Sequence, residues 1–340
     1  MSEHSKEQLK ELQSYSLERK ISLTQARLLE WKRYFDDKIY ISFSGGKDST
    51  VLADIAARIY KIEKELGHES KQPLTLCFVN TGLEYPEIQK FVKKFADWLR
   101  QTYDIPVDLE IVYPKQTFKE VITEQGYPFP SKEQSKFIRE FKTTKSDKVR
   151  DIRWNGNKWG MGKISKKWRF LVDADFDVSD RCCDVMKKRP AAKYEKESGN
   201  HPVLAVMAEE SIQRQTAWVR QGCNAFEGER PKSKPMAFWT EQDVLEYLKV
   251  SGIPYCEVYG DIVEENGVLR TTGCDRTGCM FCMFGVASES SPNRFERMKE
   301  THPKQYNYCI NGGHYEEGKL KPDKEGLGIG KILDEIGKPY

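Results

Sequence analysis

No apolar run in this 340-residue chain approaches the roughly 20 residues needed to cross a bilayer; the longest, such as Ile39 to Phe43 and Val203 to Ala208, are strand-sized, so no membrane anchor is expected. The first residues, with Glu3, Lys6, Glu7, Lys10 and Glu11, lack the apolar core of a secretory signal, which places the expected setting in a reducing cytoplasm. Nine cysteines in such a setting suggest metal binding or catalysis instead of disulfides. There is no internal repeat and no low-complexity tract. Nor is there bulk charge of one sign: 55 basic residues against 52 acidic leave +3, so composition alone does not announce a nucleic-acid binder. What is present is 38% apolar content, enough for one large domain or a core domain carrying an appendage.

The charge is unevenly spread. Between Lys136 and Arg169 twelve Lys or Arg stand against three acidic residues, Glu140, Asp147 and Asp151, an excess of nine, with Trp154, Trp159 and Trp168 interleaved. Lys and Arg neutralise phosphates and aromatics stack on exposed bases, so tRNA or DNA is one reading of this stretch. A solvated charged loop with its Trp residues folded into core is the other.

Periodicity predicts an alternating α/β chain. Two amphipathic helices fill the first forty residues, the second opened by Ser22 with Gln25 three positions on. Ile39 to Phe43 reads as a strand, followed by a glycine turn and a helix through Leu52, Ile55, Ile59, Ile62 and Leu66. Leu74 to Val79 is a strand, Pro86 to Leu99 a helix, Val107 to Val112 a strand and Pro202 to Ala208 a later strand. Such alternation implies right-handed crossovers and a doubly wound parallel sheet. The intervening seventy or so residues read as a loop-rich functional insertion that exceeds ordinary loop lengths. Thr240 with Asp243 caps a further helix, and Ser291-Pro292 opens another toward Met298. The expected division is 1–38 as a helical extension, 39–250 as a nucleotide-binding α/β domain with the basic insertion at about 130–180, and 251–340 as a cysteine-rich, iron-sulfur-binding region.

Ser44-Gly45-Gly46-Lys47-Asp48-Ser49 lies between the first strand and its helix, where an open α/β sheet places ligands. Two glycines let backbone amides approach a polyanion, Lys47 adds charge, Ser44 and Ser49 add hydroxyls, and the helix N-terminus adds its positive dipole end. Asp48 could hold Mg²⁺ bridging the phosphates. The Walker A pattern is absent. The segment resembles instead the PP-loop, Ser-Gly-Gly-x-Asp-Ser, of ATP pyrophosphatases, which split ATP between its α and β phosphates. A glycine turn without chemistry is the bland alternative.

Three further segments resemble the phosphoadenosine phosphosulfate (PAPS) reductase family: Asn80 to Glu87, where Asn80 replaces the usual acid, Ala208 to Ser211 with Arg214, and Pro235 to Tyr247. The resemblance implies an adenine nucleotide alpha hydrolase-like fold of the HUP type. It also implies nucleotide or substrate contacts from Thr81, Gly82, Glu210, Ser211 and Arg214; surface caps and ion pairs are the plain alternative.

Cys182-Cys183 and the later Cys279-Met280-Phe281-Cys282 resemble the four-thiolate [4Fe-4S] arrangement of the APS reductase branch of that family. A zinc site usually draws on two Cys-x-x-Cys knuckles, and inert buried thiols are the third possibility. Cys274 could replace one of the tandem cysteines as a ligand or act as a sulfur carrier. Cys77 reads as core, and Cys223, Cys256 and Cys309 as isolated buried thiols. Sulfonucleotide reductases of the family attack sulfur with a cysteine in a C-terminal tail, and no cysteine follows Cys309 here. That departure, with an intact phosphate loop, favours a member that consumes ATP. The expectation is adenylation of an acceptor with release of pyrophosphate, then sulfur delivery, with Lys47, Asp48 and Cys274 as catalytic residues. ATP or an adenylylated sulfur compound, a cysteine desulfurase or thiol reductant, a nucleic acid and a second copy of the chain are the expected partners. A sulfonucleotide reductase releasing sulfite and a non-catalytic nucleotide-sensing subunit of a modification or defence complex are the alternatives.

Overall fold

The computed structural model describes residues 4–68 and 70–340; the first three residues of the expected N-terminal extension lie outside them. In chain order the elements are α1 (Lys6–Gln13), α2 (Leu17–Tyr34), β1 (Ile39–Ser42), α3 (Lys47–Glu65), β2 (Leu74–Val79), α4 (Pro86–Tyr103), β3 (Val107–Val112), α5 (Phe118–Gln125), α6 (Lys132–Thr143), α7 (Asp147–Asn155), α8 (Arg189–Ser198), β4 (His201–Val203), α9 (Ile212–Gln221), β5 (Asn224–Ala225), β6 (Lys232–Ser233), α10 (Glu241–Ser251), β7 (Ile262–Glu265), β8 (Val268–Thr271), α11 (Arg294–Thr301), α12 (Pro303–Ile310), β9 (His314–Glu316), β10 (Lys319–Lys321) and α13 (Ile329–Glu335). They form two compact units: residues 1–80, 84–112 and 191–277, and residues 81–83, 113–190 and 278–340.

In the first unit a six-stranded sheet runs in the order β3-β2-β1-β4-β6-β5. β1 pairs in parallel with β2 (Ile41 against Leu76) and with β4 (Ile41 against Val203), and only β5 runs antiparallel. The chain leaves β1 toward β2 and β3 and later returns to β4 on the other side, so the strand order reverses at β1. That reversal opens a crevice at the carboxyl end of β1, the position where such sheets hold ligands. β1 and β2 read as nearly unbroken apolar runs because both are buried in the middle of the sheet, as parallel strands are. Leu52, Ile55, Ala56 and Ile59 of α3 and Ile88, Val92, Phe95 and Leu99 of α4 are buried in one core with Ile41, Leu76 and Phe78. Each large apolar side chain buried there contributes about 1.5–3 kcal/mol relative to exposure. Cys77 of β2 is buried too, 2% exposed.

Several charged side chains are buried in pairs. Asp54 is inaccessible and accepts hydrogen bonds from Tyr103 and Tyr247 hydroxyls and from Arg58 Nε at 2.8 Å. Lys20 of α2 meets Asp243 at 2.6 Å, both largely buried.

The second unit is mainly helical, with the β9–β10 hairpin as its strand pair. Phe118, Val121, Ile122, Tyr127, Phe129, Ile138 and Phe176 are among its buried side chains.

Four local expectations change. Ser22 does not cap a helix: it lies inside α2, donates its hydroxyl to Glu18 O, and Ser16 is the cap. The strand expected from Pro202 to Ala208 is confined to His201–Val203, and a 3₁₀ turn occupies 208–210. Part of the presumed loop-rich insertion is helical, in α5, α6 and α7, each opened by a Ser or Thr cap at Thr117, Ser131 and Ser146. Asn293, not Ser291, caps α11, accepting from the Phe295 and Glu296 amides.

Candidate functional site

The phosphate loop closes at Gly45, whose φ is +71° and whose Cβ, if present, would lie 2.9 Å from both Ile88 Cγ2 and Val92 Cγ2. Only glycine satisfies both conditions. Gly46 is the N-cap of α3 and brings no side-chain cap, so the first amides of a nineteen-residue helix are left to other partners. Ser44 and Ser49 bind each other across the loop at 3.0 Å, and the Gly46 amide donates to Ser44 Oγ at 3.3 Å.

The buried Lys47 is held by groups from far along the chain. Its amide donates to the Tyr259 hydroxyl at 3.1 Å, its ammonium donates to the Asp275 carbonyl at 2.8 Å, and Glu241 lies 3.1 Å from it. Tyr259 also shares a hydrogen bond with Thr277 at 2.7 Å. A hydroxyl thus occupies the place at the start of α3 where an anion would meet the helix dipole.

Asp48 Oδ1 is buried with no hydrogen-bond partner among the described residues, and Lys47 Nζ stands 3.9 Å from it. Burial pushes this carboxyl above its ordinary range; Lys47, Arg276 and Arg214 oppose the rise and Glu241 adds to it. Arg214 is in turn held below its usual range, first by burial and then by Arg276. Lys47, Asp48, Arg214, Glu241 and Arg276 therefore form one electrostatic cluster. An orphaned buried carboxylate oxygen beside a phosphate loop fits a Mg²⁺ ligand.

Glu210 and Arg214 form an ion pair, and Ser211 caps α9 by accepting from the Arg214 amide. The structure thus brings Arg214 into the electrostatic cluster, with Glu210 and Ser211 as its local supports. Cys274 belongs to the same unit: its amide donates to Val258 O at 3.0 Å and its sulfur lies 3.7 Å from the Tyr85 hydroxyl. Its neighbour Cys256 is buried, with the thiol pushed up to about 11 by that burial, and Cys274 adding to the rise. Sequence reasoning missed Tyr259, Glu241, Arg276 and Thr277. Arg276 closes the stretch Gly273-Cys274-Asp275-Arg276 around Cys274, Thr277 comes next, and Glu241 follows a recognised cap; no spacing rule links any of them to the loop.

The second unit contains Thr81, Gly82 and all four candidate ligands. Leu83 O accepts from the Met280 amide at 2.8 Å, which sets Thr81 and Gly82 beside the Cys-x-x-Cys segment. That segment turns on a bond from the Cys282 amide to Cys279 O at 3.1 Å. Cys182 and Cys183 stand directly ahead of a π-helical turn, Asp184–Lys188. Cys182 is buried, and burial pushes its thiol well up; Cys183, Cys279 and Cys282 each add to that rise. Burial raises the Cys282 thiol too, while the Phe284 amide, Arg294 and Lys132 pull it toward the thiolate. Arg294 also donates to Cys282 O at 2.7 Å.

Among the described residues, no group of three or more His, Cys, Asp or Glu is arranged to hold a single metal ion. A four-iron cluster makes a different demand, since each of its four thiolates would bind a different iron. A set of thiols alone, with Arg294, Lys132 and Lys187 near it, fits that anionic group in donor type and in charge. All nine cysteines are free thiols here. Cys309 is inaccessible and Cys223 half-buried, and no helix among the described residues is long and apolar enough to cross a membrane.

A model of the phosphoadenosine phosphosulfate reductase domain matches residues 38–163 and 157–284, more than half of the chain. An uncharacterized protein of Methanocaldococcus jannaschii is 22% identical over 280 residues, which cover 80% of this chain and 46% of that protein; the chain spans about half the length of that relative. The phosphate complex of PAPS reductase from Candida auris is similar at 16% identity with a TM-score of 0.36, over 78% of this chain and 97% of the other. Because the matched stretches take in the phosphate loop, the sheet and the cysteines as far as Cys282, the chain belongs to the phosphoadenosine phosphosulfate reductase family, whose members are enzymes and can bind nucleotides.

Proposed function

We propose that this protein is an ATP-dependent sulfur-transfer enzyme that binds ATP at the phosphate loop, adenylates an acceptor and replaces the adenylate with sulfur. The observation that carries this reading is Asp48 Oδ1, buried without a partner next to Lys47 in an intact strand-loop-helix cradle. Mg²⁺ on Asp48 would neutralise the polyphosphate. An acceptor oxygen attacks the α-phosphorus, the bond to the β-phosphate oxygen breaks, pyrophosphate leaves with the electron pair, and the acceptor proton passes to solvent. Lys47 and the loop amides stabilise the charge that builds on the phosphoryl oxygens. Arg214 and Arg276 stand in the same cluster to receive the triphosphate or the released pyrophosphate.

Cys274 is the sulfur carrier in this reading. The terminal sulfur of a persulfide on Cys274, loaded by a cysteine desulfurase, attacks the adenylated atom and expels AMP. The disulfide then joining acceptor and Cys274 is reduced by two equivalents of an external thiol, which leave as a disulfide and free both the thiolated acceptor and the Cys274 thiol. A [4Fe-4S] cluster on Cys182, Cys183, Cys279 and Cys282 would supply sulfur or electrons to the exchange. The setting of this chemistry is the cytoplasm.

The test is formation of AMP and pyrophosphate from ATP and Mg²⁺ by protein prepared without oxygen. Lys47→Ala lowers the rate by about 10²–10³-fold, the scale for loss of one preorganised electrostatic contact. No AMP from the parent protein, together with sulfite release from PAPS and a thiol reductant, would overturn the proposal in favour of a sulfonucleotide reductase. The family match favours that second reading.

A further inference from the structure

Outside both sites, loop 156–163 of the second unit is constructed to hold an aromatic ring in solvent. Gly156, Gly160 and Gly162 have φ of 97°, 73° and 77°. A Cβ on Gly156 would meet the Gly160 carbonyl carbon at 2.9 Å, so the turn closes only on glycine. Asn157 locks it from inside. Its amide donates to Met161 O at 2.8 Å, its carbonyl accepts from the Gly160 amide at 2.7 Å, and its side-chain oxygen accepts from the Trp159 and Met161 amides at 2.9 and 3.0 Å. The ends are fixed as well: the Gly156 amide donates to Ile152 O and the Ile164 amide to Arg153 O, with Ile164 inaccessible. The outcome is a Trp159 that is 68% exposed on a rigid turn. A solvated loop with its aromatics folded away would not present it so.

The charge around it is sorted. Arg139, Lys142, Arg150 and Arg153 are spent on Asp180, Asp177, Asp147 and Glu140. Lys158, Lys163, Lys166 and Lys167 are exposed and enter no ion pair among the described residues. Lys158 Nζ lies 4.2 Å from the Trp159 ring centroid, and Lys167 Nζ lies 4.7 Å from that of the half-buried Trp168. Free cations beside an exposed π-face match a ligand that alternates phosphates with flat rings. An acidic peptide supplies charge without the flat rings, and a duplex keeps its base faces stacked.

We infer that loop 156–163 and the turn after it bind an unpaired stretch of nucleic acid, with Trp159 stacking on a base and Lys158, Lys163, Lys166 and Lys167 neutralising phosphates. That this strand is also the acceptor of sulfur rests on the reaction proposed above; the binding does not.

The probe is a short, mixed-sequence, fluorescently labelled single-stranded oligonucleotide titrated without ATP over a range of salt. Expected are quenching of tryptophan emission, a linear fall of log K with log salt, and a loss of about tenfold in affinity for Trp159→Ala at an unchanged thermal midpoint. Replacing the four lysines by Gln flattens the salt slope by up to about 3. Equal affinity of Trp159→Ala and the parent protein overturns the inference, as does tighter binding to anionic lipid vesicles than to the oligonucleotide. AMP release is scored separately: a parent protein that binds the strand through Trp159 yet makes no AMP sinks the proposed reaction and upholds this surface, whereas AMP release without strand binding does the reverse.

Discussion

The candidate phosphate loop draws six residues, Ser44 to Ser49, from one unbroken stretch that leaves β1 and runs into the first turn of α3, whereas the candidate thiol ligands come from two stretches with β4, β5 and β6 of the other unit between them in the chain. In the first, local geometry does most of the shaping: a glycine at positive φ, a strand end and a helix start. In the second, no local pattern joins the two cysteine pairs, and the influence of Cys279 and Cys282 on Cys182 is a product of tertiary folding. The first kind of site takes its shape mainly from its own segment and is adjusted by distant groups; the second depends throughout on the fold that brings two segments together.

The harshest way to break this contrast is Cys279→Ser. It removes one of the four thiolates of the proposed cluster; the parent protein prepared without oxygen should be brown and contain iron and sulfide, and the variant should lose all three while keeping the ATP binding proposed for the loop. A full cluster in that variant would mean that the ligands are misassigned. Next in size is Asp243→Ala, which leaves the buried Lys20 ammonium without its carboxylate and opens the capping box of α10. Breaking a buried pair costs about 3–5 kcal/mol, read as a fall in the urea midpoint.

Tyr259→Phe sharpens the comparison more finely. It frees the Lys47 amide from the hydroxyl that occupies it, so ATP or pyrophosphate should bind about threefold to tenfold more tightly by calorimetry, the worth of one hydrogen bond. Weaker binding would show that Tyr259 supports the loop. The smallest effect is expected at His201 of β4, stacked on Phe35 at 3.6 Å. Burial holds its imidazole below the ordinary range, Lys38 assisting and Glu195 opposing. The unfolded chain therefore takes up a proton that the folded one refuses. Stability present above about pH 6.5 is lost as the pH falls through the depressed value, and His201→Gln should flatten that decline in thermal midpoint.

Much of the sheet was legible because its signals are local. β2 and β3 occupy the ranges that their residue patterns indicate, and the capping box at Thr240 and Asp243 opens α10 as expected. Ser22 misled because a cap pattern is short enough to recur inside a helix, and Ser16 precedes the buried Leu17 where α2 begins. The helices α6 and α7 were hidden by charge: Phe137, Ile138 and Phe141, then Val149 and Ile152, have helical spacing, but Lys and Arg crowd every gap. Lys47, Asp48 and Arg214 were visible as a motif. Tyr259, Glu241 and Arg276 were not, since each reaches the loop through folding alone.

The two units are threaded through one another in sequence, each made of three pieces with seams near 80, 83, 112, 190 and 277. A single crossover with a relative anywhere between residues 84 and 277 would therefore exchange portions of both units at once. Only a double exchange, such as one bounded near 112 and 190, transplants a whole internal block intact, and that block carries Trp159 together with Cys182 and Cys183 but leaves Cys279 and Cys282 behind. The four candidate thiol ligands thus lie in separate tracts of the chain, and a hybrid that takes the 113–190 block alone inherits only Cys182 and Cys183 of them.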